Sequence, residues 1–185
     1  MTITVTPLSA ACGAEISGVD LRDPLDSQTV KEIEQAFHDH VVVVFRGQDI
    51  TEEEQMAFAN AFGGLGERRR SPNGNNPGGS YDTPFMFVTN ILDEKTGEPI
   101  GAFGDGEMWF HHDMCYVEAP HKGTMLYGID IPAQGGDTMF TNMYEAYHNL
   151  SAETKRLIAG RKALHVYDFG TAGPVGIDGG YQQFK

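Results

Sequence analysis

The chain has 185 residues, with 13 Lys and Arg against 26 Asp and Glu, a formal net charge of −13. That length predicts a single domain over 1–185, long enough to bury a core. Hydrophobic residues at 40% and charged residues at 21% describe a soluble globular chain rather than a disordered one. The acidic balance excludes a nucleic-acid binder, which needs a basic face, and the longest compact apolar run, Val41 to Phe45, is far short of the roughly 20 residues a membrane-spanning helix requires.

The first residues, MTITVTP, lack a basic stretch followed by an apolar one, so no signal peptide is expected. Cys12 and Cys115 lie far apart and outside any C-x-x-C spacing, a pattern that fits a reducing cytoplasm better than a disulfide framework. Ile3 to Val5 alternates with threonine and predicts a short strand, and Ala14 to Leu21 a second. Val30, Ile33 and Phe37 recur at helical spacing across Asp26 to His38, with Asp26 or Ser27 available as N-cap. The β-branched run Val41 to Phe45 predicts a buried strand. Thr51-Glu52-Glu53-Glu54 has the form of a capping box, and the helix it opens turns Met56, Ala59 and Phe62 inward before Gly63-Gly64 stops it.

The character then changes. Arg68-Arg69-Arg70 and SPNGNNPGGS cannot build a core and predict a surface loop. The arginines would be solvated there or would attract an anionic substrate. Met86 to Ile91 predicts a strand, and Asp93 to Glu107 a glycine-bearing loop. Three apolar, aromatic stretches follow at Met108 to Tyr116, Gly123 to Ile131 and Asp137 to Thr141. Helices over Asn142 to Leu150 and Ser151 to Ile158, then a strand over Ala163 to Phe169, complete the pattern. Such a mixture predicts an α+β chain built around a β-sandwich or barrel.

The segment Trp109-Phe110-His111-His112-Asp113-Met114-Cys115-Tyr116 carries the most chemistry. On a strand, residues i and i+2 project from one face, so His111 and Asp113 offer an imidazole and a carboxylate to the same point while His112 points away. That is two-thirds of a 2-His-1-carboxylate triad, which holds Fe(II) and leaves positions open. Read by spacing alone, H-x-D is a weak signal, and such a pair is more often an ordinary polar pair than a metal site.

The segments GAEISGVDL (Gly13 to Leu21), VVFRGQ (Val43 to Gln48), Phe58-Ala59 to Phe62-Gly63 and PAQGGDT (Pro132 to Thr138), taken in order with H-x-D, resemble the taurine dioxygenase family over nearly the whole chain. The resemblance implies a double-stranded β-helix (jelly-roll, cupin-like) core and an Fe(II)- and 2-oxoglutarate-dependent dioxygenase. Such an enzyme hydroxylates a small, anionic organic substrate with O2 and releases succinate and CO2. It makes His111 and Asp113 the first two iron ligands, and Thr138 the hydrogen-bond partner of the distal 2-oxoglutarate carboxylate. Asn90 becomes a pocket-facing residue. Without the resemblance, Thr138 reads as a solvent-side strand hydroxyl and Asn90 as a turn-forming amide.

Two departures from the family pattern stand out. Phe110 separates Trp109 from His111, where the family has Trp directly before the histidine. Family members are also longer, and their third ligand, a histidine, and the arginine that pairs with 2-oxoglutarate fall beyond Lys185. Among the other histidines, His165 is the best internal candidate for a ligand, but the matching family histidine is not one. His121 and His148 read as surface residues, and His38 and His40 as cations at a helix C-terminus. Met114, Cys115 and Tyr116 read as packing. A non-catalytic β-helix binding domain and a cupin-like enzyme using another metal are the alternatives, and a homo-oligomer stays open.

Overall fold

The computed structural model describes residues 2–66, 85–97, 100–101 and 110–165. The chain divides into two compact units, Met1–Leu65 with Gly123–Ala163, and Gly66–Lys122 with Leu164–Lys185.

In the first unit, β1 (Thr4–Pro7) and β2 (Ala14–Ser17) pair antiparallel, Thr4 opposite Ser17 and Pro7 opposite Ala14. The predicted second strand stops at Ser17 rather than reaching Leu21. Gly18 takes φ +86 and passes so close to the Thr2 carbonyl that a Cβ would sit 2.6 Å from its oxygen, which only glycine tolerates. Helix α1 (Ser27–His40) crosses over to β3 (Val43–Val44), which pairs parallel to β2. The sheet order is β1-β2-β3.

Helix α1 is built as its sequence predicts. The Asp26 carboxylate accepts from the Gln28 amide at 3.0 Å and the Thr29 amide at 2.8 Å, satisfying two of the first-turn donors. Its buried residues are Thr29, Ile33 and Ala36, so of the expected Val30, Ile33 and Phe37 only Ile33 is fully buried and the other two are half-buried. The helix closes on Val41, whose amide donates to Phe37 O at 2.7 Å with φ +68, a conformation in which a β-branched residue is strained.

Helix α2 (Glu52–Ala61) opens on a complete capping box. The Thr51 hydroxyl accepts from the Glu54 amide at 3.2 Å, and the Glu54 carboxylate accepts from the Thr51 amide at 2.7 Å. Phe58 meets Phe45 edge-on at 5.4 Å and Phe62 at 5.0 Å. The core gathers Ile16, Val19, Leu21, Ile33, Ala36 and Ile50, with Phe58, Phe62, Met125 and Tyr127 packed against it. Tyr127 ties the later segment in, accepting from the Ile50 amide at 3.2 Å and donating to Gln48 O at 3.4 Å. Helices α3 (Met143–His148) and α4 (Ala152–Ile158) start on Asn142 and Ser151 as predicted, and the Asn142 side-chain amide also donates to Ala11 O at 2.8 Å.

Four strand expectations are corrected. Residues 123–131 and 137–141, together with 86–91 and 110–116, form no strand among the described residues; Leu92 makes an isolated bridge. A strand needs a partner to take its backbone donors and acceptors, and apolar character alone does not supply one. Residues 163–165 are likewise irregular, while the rest of that predicted strand, Arg68 to Arg70 and the SPNGNNPGGS stretch lie outside the described residues. The α+β reading holds as a small mixed sheet with flanking helices, and the described strands close no barrel. Among the described residues no helix is long and apolar enough to cross a membrane.

In the second unit, residues 85–97 form a turn that brings residues 100–101 back against 89–91. The Asp93 carboxylate accepts from the Lys95 and Thr96 amides at 2.9 and 2.8 Å, and Gly97, at φ +72, donates to Asp93 O at 2.8 Å. These bonds, the Thr96 amide foremost, hold the Asp93 carboxyl below the usual carboxylate range. Ile100 then donates to Ile91 O at 3.1 Å, and Gly101 lies against the Thr89 carbonyl where a side chain would collide.

Candidate metal centre

His111 and Asp113 converge. The imidazole Nε2 lies 3.2 Å from Asp113 Oδ1, with both side chains about half exposed, 51% and 46%. Strand alternation is not what brings them together, because no strand forms here. They meet at the start of a pair of turns, in which the Cys115 amide donates to His112 O at 3.3 Å and the Val117 amide to Met114 O at 3.2 Å. Met114 occupies the third position of the first of these turns at φ +55, where Gly or Asn is the usual occupant. Its sulfur accepts from the Tyr116 hydroxyl at 3.1 Å. Met114 to Val117 are half-buried, as the packing reading expects.

The separation of the two donors suits a shared cation. Two ligands bonded at about 2.1 Å and at right angles stand about 3.0 Å apart, close to the 3.2 Å observed. One imidazole nitrogen and one carboxylate oxygen are also the donor types a first-row divalent ion takes. The residues present therefore fit two sites of a facial triad. Among the described residues no group of three or more His, Cys, Asp or Glu stands ready to hold a metal.

The other predicted site residues are spread between the two units. Asn90 belongs to the second unit and is exposed on the arm leading to the Asp93 turn, beside the close passage of Thr89 and Gly101. Thr138 belongs to the first unit, exposed in an irregular segment after Gly135 and Gly136, which both take positive φ. Neither lies on the strand expected for it. Cys12 and Cys115 are both free thiols.

Two features of the second unit escaped the sequence reading. One is the left-handed Met114, since nothing in the residue type signals a positive φ. The other is the tight approach of Gly66 to the His121 ring, where any side chain at 66 would clash. A lone glycine at the end of a glycine-bearing stretch was the only available signal, and it does not name its neighbour.

Residues 4–180 match the family described as taurine catabolism dioxygenase TauD, TfdA family. The chain belongs to the TauD/TfdA dioxygenase family. It is 31% identical over 171 residues to an alpha-ketoglutarate-dependent 2,4-dichlorophenoxyacetate dioxygenase of Cupriavidus pinatubonensis, covering 89% of this chain and 58% of that protein. It is 32% identical over 177 residues to an alpha-ketoglutarate-dependent sulfate ester dioxygenase of Pseudomonas putida, covering 94% and 54%. Pentalenolactone F synthase of Streptomyces avermitilis is 33% identical over 168 residues, covering 89% and 53%. A solved Burkholderia xenovorans chain, provisionally described as an alpha-ketoglutarate-dependent taurine dioxygenase, superposes with a TM-score of 0.66 at 34% identity. It covers 86% of this chain and 52% of that one. The TauD/TfdA chain described here thus spans about half the length of the relatives it matches.

Proposed function

We propose that this TauD/TfdA chain is an Fe(II)- and 2-oxoglutarate-dependent dioxygenase that hydroxylates a small, anionic organic substrate. The observation that carries the reading is the convergence of His111 and Asp113 at 3.2 Å in a chain of this family. The bound iron would supply the oxidising chemistry: 2-oxoglutarate, O2 and a substrate C–H become succinate, CO2 and an alcohol, one oxygen atom entering succinate and the other the new hydroxyl. His111 presents a neutral imidazole nitrogen and Asp113 a charged oxygen, so the pair neutralises one unit of the metal's charge and leaves other positions open.

Thr138 is assigned to the distal carboxylate of 2-oxoglutarate, where a hydroxyl donates without adding charge. Asn90 is assigned to the pocket, where its amide offers both a donor and an acceptor to an anionic substrate. The third ligand, a histidine, and an arginine suited to bidentate carboxylate binding are assigned to the part of the relatives' length that this chain does not span. The same reading makes residues 1–185 part of one jelly-roll oxygenase domain acting in the cytoplasm. The names of two relatives, which act on a chlorinated phenoxyacetate and on sulfate esters, support a small anion as the substrate class.

The test is succinate formation from 2-oxoglutarate with Fe(II), O2 and a panel of aryloxyalkanoates, sulfonates and sulfate esters. His111→Ala and Asp113→Ala are each expected to abolish it while leaving the far-ultraviolet circular dichroism unchanged. Retained turnover in either variant overturns the ligand assignment. Activity with Zn(II) and indifference to 2-oxoglutarate would instead favour a cupin-like enzyme using another metal, and binding without turnover a non-catalytic domain.

A further inference from the structure

We propose that the outward apolar side chains of residues 125–131 form a self-association surface, covered in solution by the same segment of a second copy of this chain. The inference concerns the first unit and is independent of the ligand reading of His111 and Asp113.

One face of the segment is fixed to the core. Met125 and Tyr127 pack against the hydrophobic cluster, and the Tyr127 hydroxyl accepts from the Ile50 amide and donates to Gln48 O. Between them Leu126 turns outward and is 62% exposed, the in-and-out alternation of extended chain. The chain then bends at Ile129 and Asp130, and Ile129 and Ile131 are exposed at 78% and 73%. Apolar residues on both faces of one segment are the pattern of chain covered from both sides, and here only one side is covered. Among the described residues, 125–131 make no backbone–backbone hydrogen bond, so their donors and acceptors are open to a partner as well.

Charge selects the occupant. The chain carries a net −13, so two copies repel wherever their acidic surfaces face each other. From Gly123 to Thr141 the only charged residues are Asp130 and Asp137, so two copies meet here at least electrostatic cost. A basic partner, by contrast, finds no row of carboxylates to pair with. Two identical extended segments can run antiparallel about a two-fold axis, which closes the pair and sets the outward residues of each copy against those of the other. Where the copies are apart the face lies in water, so a substitution on it moves association rather than the stability of the single subunit.

Sedimentation equilibrium of the whole chain over about 1–100 μM is expected to show a reversible monomer–dimer equilibrium. Leu126→Glu and Ile131→Glu are each expected to weaken it at least about tenfold, against less than about twofold for Leu157→Glu, an exposed residue of α4 outside the segment. Added salt should strengthen the dimer, because it screens the repulsion of two −13 chains and leaves the apolar contact in place. If the glutamate variants do not fold, hydrogen exchange of the unaltered chain makes the test: the amides of 125–128 should become protected as concentration rises. A monomer throughout the range, higher aggregates without a discrete dimer, a dimer that salt dissociates, or equal weakening by Leu157→Glu and Leu126→Glu overturns the inference. So does exchange at 125–128 that concentration leaves unchanged. A monomer would leave the face to another occupant, such as the further length that the relatives carry.

Discussion

Asp26 illustrates what one side chain decides. Its carboxylate caps α1, and the Thr29 amide, foremost among its partners, lowers its pKa to about 2 from an ordinary 3.8. A depressed carboxylate stabilises the fold at pH above its unfolded pKa, and that contribution is lost as pH falls from about 4 toward about 2. Asp26→Asn, which still caps but does not titrate, is therefore expected to flatten the fall in melting temperature over that interval. Asp26→Ala should lower the melting temperature near neutral pH and narrow its gap to the parent in acid. An unchanged acid limb in the asparagine variant would remove Asp26 from the account. The cap was legible because Asp before an apolar-periodic run is a local signal. Val41 at φ +68 and Met114 at φ +55 were not, since a valine and a methionine carry no mark of positive φ.

Among the elements, those whose hydrogen bonds are internal were the ones the sequence located. Helices α1 and α2 begin after caps the sequence offers, Asp26 (one of two candidates, with Ser27) and Thr51, and α3 and α4 begin after Asn142 and Ser151, where the sequence starts them. Thr51→Ala removes the acceptor for the Glu54 amide and loosens the reciprocal bond, so it should destabilise α2 by about 1 kcal/mol in urea unfolding. Thr51→Ser, keeping the hydroxyl, should recover most of that. Strands were located only where a partner lies close by, β1 on β2 and β2 on β3 across α1, and even there the buried strand expected over Val41 to Phe45 is only Val43–Val44, half-buried, with Val41 closing α1. The stretches at 86–91, 110–116, 123–131 and 137–141 have strand-like composition, yet composition is silent about which other segment would take their backbone groups.

At the scale of the molecule, the buried hydrophobic side chains among the described residues all lie in the first unit, and this makes stability site-dependent. Ile33 is 2% exposed between α1 and the sheet, whereas Ile129 is 78% exposed. Ile33→Ala is expected to cost about 2–5 kcal/mol, through lost transfer energy and an unfilled cavity, against less than about 0.5 kcal/mol for Ile129→Ala. Comparable losses in the two variants would mean that the burial pattern described here does not operate in solution. The apolar residues of 123–140 illustrate the same point. Their composition is apolar, yet Leu126, Ile131, Met139 and Phe140 are all more than half exposed, while Met125 and Tyr127 do pack on the core.

The sequence by itself determined the helices, the caps of α1 and α2, Ile33 as a core position of α1, and the pair of residues, His111 and Asp113, that distinguishes the candidate centre. All of these depend on chemistry within a few residues along the chain, where residue type and spacing act directly. The tertiary structure alone decided that β3 runs parallel to β2, that Tyr127 reaches back to Gln48 and Ile50, and that Asn142 reaches Ala11. It also decided that His111 and Asp113 meet in irregular chain at the start of a turn rather than along a strand. Each of these depends on a partner or a backbone angle that residue type leaves undetermined, because pairing and positive φ are settled by what the rest of the chain packs against them.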